Sequence, residues 1–309
     1  MEFNKLIRLF LPLAVEGVWA VKRYSMERLV EKLDHLEFSV RKFTATSKLL
    51  SIELQILDEA LLYKLLAGEA NKFLLASRLT YNRSTQNQEA NASWQAVEHY
   101  YSAYYAVHYL LRVAGISVTN LDERGARIIE ESSFGSLTRN SVPSGLYLMR
   151  YDKVSKILTL EKDLKKSGGG SHQQLWSLWE MLLEKLDAGT SQDLVEYASV
   201  SVALAVHKSF LVRSTAKYNP PDIRGEINYQ FKGGSWRFEE GAGRVVGRLQ
   251  RAISSMQYSA SISSATPEGL ISNSNFIIEF AKRVFLHSSD RYPKGIVHSL
   301  ANQYSEYLA

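Results

Sequence analysis

A chain of 309 residues is long enough for one large domain or two ordinary ones, and 45 % hydrophobic with 22 % charged residues is the balance of a folded protein rather than a disordered one. The absence of cysteine excludes a disulfide framework, a thiolate metal site and a cysteine nucleophile, and it fits a cytoplasmic protein. A net charge of +5 and a pI near 9.1 lean toward a polyanionic partner such as nucleic acid.

The N-terminal stretch MEFNKLIRLFLPLAVEGVWAV has Lys5 and Arg8 ahead of an apolar run, but Glu16 interrupts the run and no small-residue cleavage site follows. It is too short and too charged to span a membrane and reads as an amphipathic helix that packs on the body or on a partner. No other window approaches a transmembrane segment, so no membrane association is expected. Residues 45 to 66 repeat apolar positions at three- and four-residue spacing (Leu49, Ile52, Ile56, Leu57, Ala60, Tyr63), which predicts a helix. Residues 68–80, 90–116, 172–187, 191–211, 242–258, 272–287 and 293–308 read the same way. Only residues 154–164 alternate convincingly, which allows at most a small hairpin near 146–164. The expected class is therefore all-α, an antiparallel helical bundle. Its divisions are an amphipathic arm over 1–40, a main helical domain over 41–262 and a C-terminal helical pair over 263–309. Polar or glycine-rich breaks fall at 81–93, 141–145, 166–171, 218–226 and 263–269, and no fixed-period repeat is present.

The segment WQAVEHYYSAYYAVHYLL, residues 94 to 111, sorts into helical faces. Ala96, Ala103, Val107, Leu110 and Ala114 form a small-residue stripe suited to close helix packing. The tyrosines flank it as half-buried amphipathic groups. Base stacking on them is disfavoured because no Lys or Arg interleaves the rings. His99 and His108 are too far apart on the helix for a joint metal site; His99 is expected at the surface and His108 in the core. No P-loop, dinucleotide fingerprint, HExxH or EF-hand pattern occurs, and neither a metal nor a cofactor is expected. Arg244, Arg248 and Arg251 share one helix face, as a solvated surface or as a phosphate-binding stripe, with Arg237 nearby.

YYSAYYAVHYLLRVAGISV, residues 100 to 118, resembles a helix of the HEPN superfamily of helical bundles, with its aromatic-plus-alanine pattern running into Leu110, Leu111, Ala114, Gly115 and Ile116. SHQQLW (171–176) and IRGEINYQFKGGSW (223–236) are similar to pieces of prokaryotic members. The resemblance implies an HEPN-like domain over 41–262 in a defence or toxin system, working as a homodimer or within a larger complex. Active members resemble one another in an Arg-x(4–6)-His motif, which implies metal-independent RNA cleavage with histidine as base and arginine on the phosphate. Arg224 lacks that histidine; Asn228 or Tyr229 stands in the base's place, and neither takes a proton at neutral pH. The favoured expectation is accordingly a catalytically degenerate subunit that binds RNA or a partner protein through Arg224, Asn228, Tyr229, Arg244, Arg248 and Arg251. The alternative is an active endoribonuclease using Arg291 and His298, which satisfy the spacing.

Overall fold

Two strands, not a helix, occupy most of residues 38 to 56 in the computed structural model, which describes residues 2–86, 91–164, 170–214, 217–239, 241–255 and 264–308. After helix α1 (Phe3–Phe10) and the single turn α2 (Gly17–Ala20) come strands β1 (Phe38–Ala45) and β2 (Leu49–Ile56), then helices α3 (Glu59–Gln86) and α4 (Ala92–Val113). Strand β3 (Ile116–Leu121), helix α5 (Glu123–Glu131) and the hairpin β4 (Gly145–Asp152) and β5 (Ile157–Asp163) follow. Next are α6 (Ser171–Thr190), α7 (Leu194–Leu211), the short pair β6 (Val212–Ser214) and β7 (Lys217–Tyr218), and α8 (Asn219–Tyr229). The chain ends through α9 (Ala242–Ser255), α10 (Pro267–Arg291), α11 (Ile296–Gln303) and α12 (Ser305–Leu308).

The all-α bundle expected from the sequence is corrected: the chain is mixed α/β, with a five-stranded antiparallel sheet in the order β1-β2-β5-β4-β3. The helix expected over residues 45–66 splits into β2 and the start of α3. Ile52 and Ile56 satisfy both periods, but Leu50, Ile52, Leu54 and Ile56 are the buried set, which is the alternation of a strand. In β1 a bulge at Arg41 shifts the register, so Val40 opposes Leu54 and Phe43 opposes Ile52 while Lys42 faces Glu53. The small hairpin expected near 146–164 exists, as β4 and β5, and it forms two of the sheet's inner strands rather than an isolated ribbon. β3, whose first residue fell inside the helix expected over 90–116, begins because Gly115 takes a left-handed backbone (φ +71°) and ends α4; the Tyr151 amide then donates to its carbonyl at 2.7 Å.

α4 is the central helix, packed by α3, α10, α6, α8 and α9 and joined directly to β3. Ala96, Ala103, Val107, Leu110 and Ala114 are all buried, as the small-residue stripe requires. α1 lays Phe3 and Phe10 against Phe276 and Phe280 of α10, so the amphipathic arm packs on the body. The sheet is tied to α3 by Glu59, whose carboxylate accepts from Tyr63 and Tyr151 and pairs with Lys156. Among the described residues one helix, α7, is long and apolar enough to cross a membrane by length and mean hydropathy (1.2), a window the sequence reading did not single out; a third of it is buried, through Val200, Ala203, Leu204 and His207 among others.

Candidate functional site

Two helices, α6 and α8, converge on the tyrosines of α4. α6 starts at Ser171 and points His172 and, one turn later, Trp176 at them. α8 opens with Pro220 and Pro221 in its first turn, where a missing N–H costs nothing, and seats Ile223 and Ile227 inward. That orientation leaves Arg224 half-buried on the adjoining face, beside the rings. Its Cζ lies 5.6 Å from the ring centre of Tyr100, 5.9 Å from Tyr101 and 5.5 Å from Tyr229. Arg224 makes no ion pair or hydrogen bond among the described residues, and its Nε is buried without a partner.

Beside it, the Tyr104 and His172 rings stack at 4.5 Å, and the Tyr100 hydroxyl lies 2.7 Å from His172 Nδ1. The Trp176 indole N–H donates to the same hydroxyl oxygen at 3.3 Å. Hydrogen-bond accounting assigns the tautomer. Burial pushes the Tyr100 phenol up, so it keeps its proton and donates it to Nδ1. Burial, and then the nearby Arg224, hold the His172 pKa below the usual histidine value, so the ring is neutral at pH 7. A neutral imidazole whose Nδ1 accepts carries its one proton on Nε2. The site thus offers an Nε2–H and a guanidinium, all donors. It suits an anion that brings its own acceptors; among the described residues it holds no free base for deprotonating a ribose hydroxyl.

Deeper along α4 the polar chain continues. His108 meets Tyr104 edge-on at 4.7 Å and stacks on Phe73 at 4.4 Å, and Arg112 Nη1 donates to its Nδ1 at 2.8 Å. Arg112 Nε donates to Glu69 Oε2 at 2.8 Å, while Glu69 Oε1 accepts from the Leu29 amide at 2.9 Å. Burial and the Arg112 charge hold His108 well below the usual histidine pKa. This closed network fixes the α4 face on which the tyrosines stand.

Of the residues expected at a site, Arg224, Asn228 and Tyr229 share α8; Arg224 and Tyr229 meet the α4 tyrosines, and Asn228 lies half-buried one turn beyond Arg224. Arg244, Arg248 and Arg251 line the exposed face of α9, opposite its buried Val246, Leu249 and Ile253. Arg248 pairs with Glu268 at 2.9 Å. Arg291 and His298 are held by different partners. The Arg291 guanidinium lies on Glu16 at 3.3 Å, whereas His298 Nδ1 faces the carbonyl of Ser289 at 3.3 Å. His99, expected at the surface, is fully buried between Ser84 and Asn275, and burial drops its pKa to about 4; a helix packed on every side leaves no solvent face there. His108 is in the core, as expected. No group of three or more acidic or histidine side chains that could hold a metal occurs among the described residues.

Sequence reasoning missed His172, Tyr100 and Trp176 as a unit. The available signal was the His172–Trp176 spacing of one helical turn at the head of α6, facing a tyrosine-rich helix. No family model matches this chain, and no curated protein or solved structure does so either.

Proposed function

We propose that the chain binds RNA without cleaving it, holding a phosphate between Arg224 and His172 and stacking an unpaired base on the neighbouring tyrosines. Arg224 is the observation that supports this reading most: a partly buried guanidinium among aromatic rings, with no carboxylate among the described residues to satisfy it. Leaving such donors unsatisfied is costly, and phosphate oxygens match their fork. Tyr101, Tyr104 and Tyr105 are half-buried and Tyr229 is exposed, so ring surface remains for a base, each stacked base contributing about 1–3 kcal/mol. Arg112, the cation of the tyrosine helix itself, is paired with Glu69, and the cation beside the rings comes from α8. A place in a prokaryotic defence or toxin assembly rests on the resemblance of residues 100–118, 171–176 and 223–236 alone.

The test is fluorescence polarisation of a labelled single-stranded oligoribonucleotide over a salt series. Arg224→Gln is expected to weaken binding about tenfold and to reduce the log–log salt slope by about 0.7, the share of one phosphate on a single strand. Unchanged affinity and slope would overturn the assignment. In parallel, RNA incubated in chelator should stay intact; cleavage that disappears in His298→Ala would move the function to Arg291 and His298.

A further inference from the structure

The loop between α8 and α9 holds aromatic rings at the surface in a fixed arrangement. Phe231 adopts a left-handed backbone (φ +51°), followed by Gly233 at +100° and Gly234 at +66°. Such a conformation strains a phenylalanine and persists only where surrounding contacts impose it. Those contacts are present. The Glu239 carboxylate accepts from the Gly234 and Trp236 amides, each at 2.8 Å, and the Trp236 indole N–H donates to the Ile227 carbonyl at 2.8 Å. Ser93 Oγ of α4 donates to Ser235 Oγ at 3.0 Å. Gly234 lies so close to Val245 of α9 that an added Cβ would approach it to 3.1 Å.

On this frame Trp236 stacks on Phe238 with ring centres 5.5 Å apart, Phe231 meets both edge-on, and Trp94 of α4 meets Trp236 edge-on. Phe238 is 70 % exposed, and Phe231 and Trp94 are each 51 % exposed. Aromatic surface gathered in this way, rather than scattered, marks an interaction site.

We propose that this aromatic mound docks a protein partner whose contact segment is acidic around an apolar centre. Ring packing favours a protein over nucleic acid. Trp236 already lies against Phe238, Phe231 and Trp94, so the rings form one apolar knob and not separate platforms for bases. The surrounding charge defines the partner. Arg237, between Trp236 and Phe238 in sequence, and Arg244, next to Val245, are exposed and pair with no carboxylate among the described residues. Tryptophan anchors with an arginine rim are the composition of interface hot spots, and an acidic partner complements that rim. A two-fold contact between copies of this chain would instead bring the same arginines face to face. The fixed loop removes part of the ordering cost of binding.

The test pans the full-length protein against a phage-displayed random peptide library, with Phe238→Ser and Arg237→Glu as comparisons; both side chains are exposed, so neither substitution is expected to unfold the chain. The expected result is enrichment of peptides that flank Leu, Phe or Trp with Asp or Glu. Their affinity should fall about tenfold in each variant and stay unchanged in Arg224→Gln. Enrichment no greater than on the Phe238→Ser protein, or enriched peptides without acidic residues, would overturn the proposal. So would oligoribonucleotide binding or self-association in sedimentation that depends on Phe238. Because Arg224→Gln reports on the phosphate site and Phe238→Ser on the mound, failure of either reading is distinguishable from failure of the other.

Discussion

Tyr100→Phe removes one oxygen atom from the junction of α4, α6 and α8 and leaves the ring packing in place. That oxygen accepts from Trp176 at 3.3 Å and its proton goes to His172 Nδ1 at 2.7 Å. Trp176 is 1 % exposed, so its indole N–H loses its acceptor with no water to replace it, at a cost of about 1–3 kcal/mol. His172 is half-buried, and water can take over the Tyr100 donor there at little cost. A net loss of about 2 kcal/mol is expected, which lowers the urea midpoint by about 0.7 M for a slope of about 3 kcal/mol/M. The same substitution frees Nδ1, so His172 changes from a pure Nε2–H tautomer to a mixture. Urea unfolding followed by tryptophan fluorescence measures the first effect. A nitrogen–proton correlation spectrum of the histidine rings measures the second. A variant as stable as the parent, with an unaltered His172 spectrum, would refute the hydrogen-bond chain and the donor role of His172 toward a phosphate.

Arg112→Met strands the buried Glu69 carboxylate and is expected to cost about 3–5 kcal/mol, whereas Glu69→Gln with Arg112→Met keeps an acceptor for the Leu29 amide and should cost less than Arg112→Met alone. Strict additivity in denaturant unfolding of the single and double variants would show that the pair is not coupled. His99 and His207 are fully buried, and burial drops each pKa to about 4 from an ordinary value of 6.5. The native state therefore binds fewer protons than the unfolded chain between those values. Their stabilising contribution is complete above pH 6.5 and is lost as pH falls to about 4, by at most about 1.4 kcal/mol per pH unit for each ring. His207→Gln should remove about half of that slope in a pH series of thermal unfolding; an unchanged acid limb would contradict the buried neutral ring.

The long helices were legible because their periodicity runs over many turns, and α4 showed its core face through Ala96, Ala103 and Val107 at helical spacing. The sheet was not. In residues 49–56 the two periods coincide at Ile52 and Ile56, the Arg41 bulge breaks the alternation of β1, and the alternation of β3 covers only Ile116 to Thr119, directly behind a long helix. Each of these strands is stabilised by neighbours distant in sequence, β2 by β5 and β3 by β4, and a single-sequence period contains none of that pairing.

The same division runs through the site. The sequence alone determined the helical framework, the small-residue stripe of α4, the absence of cysteine chemistry, the missing histidine after Arg224 and the arginine face of α9. Base stacking on the tyrosines was disfavoured because no cation interleaves them. Only the tertiary structure brings Arg224 on α8 and His172 on α6 to rings they are far from in sequence, and the proposed phosphate site rests on that placement. A helix's own periodicity reports which face is buried; it does not report which side chains other elements bring to the remaining faces, and here those side chains supply the charge.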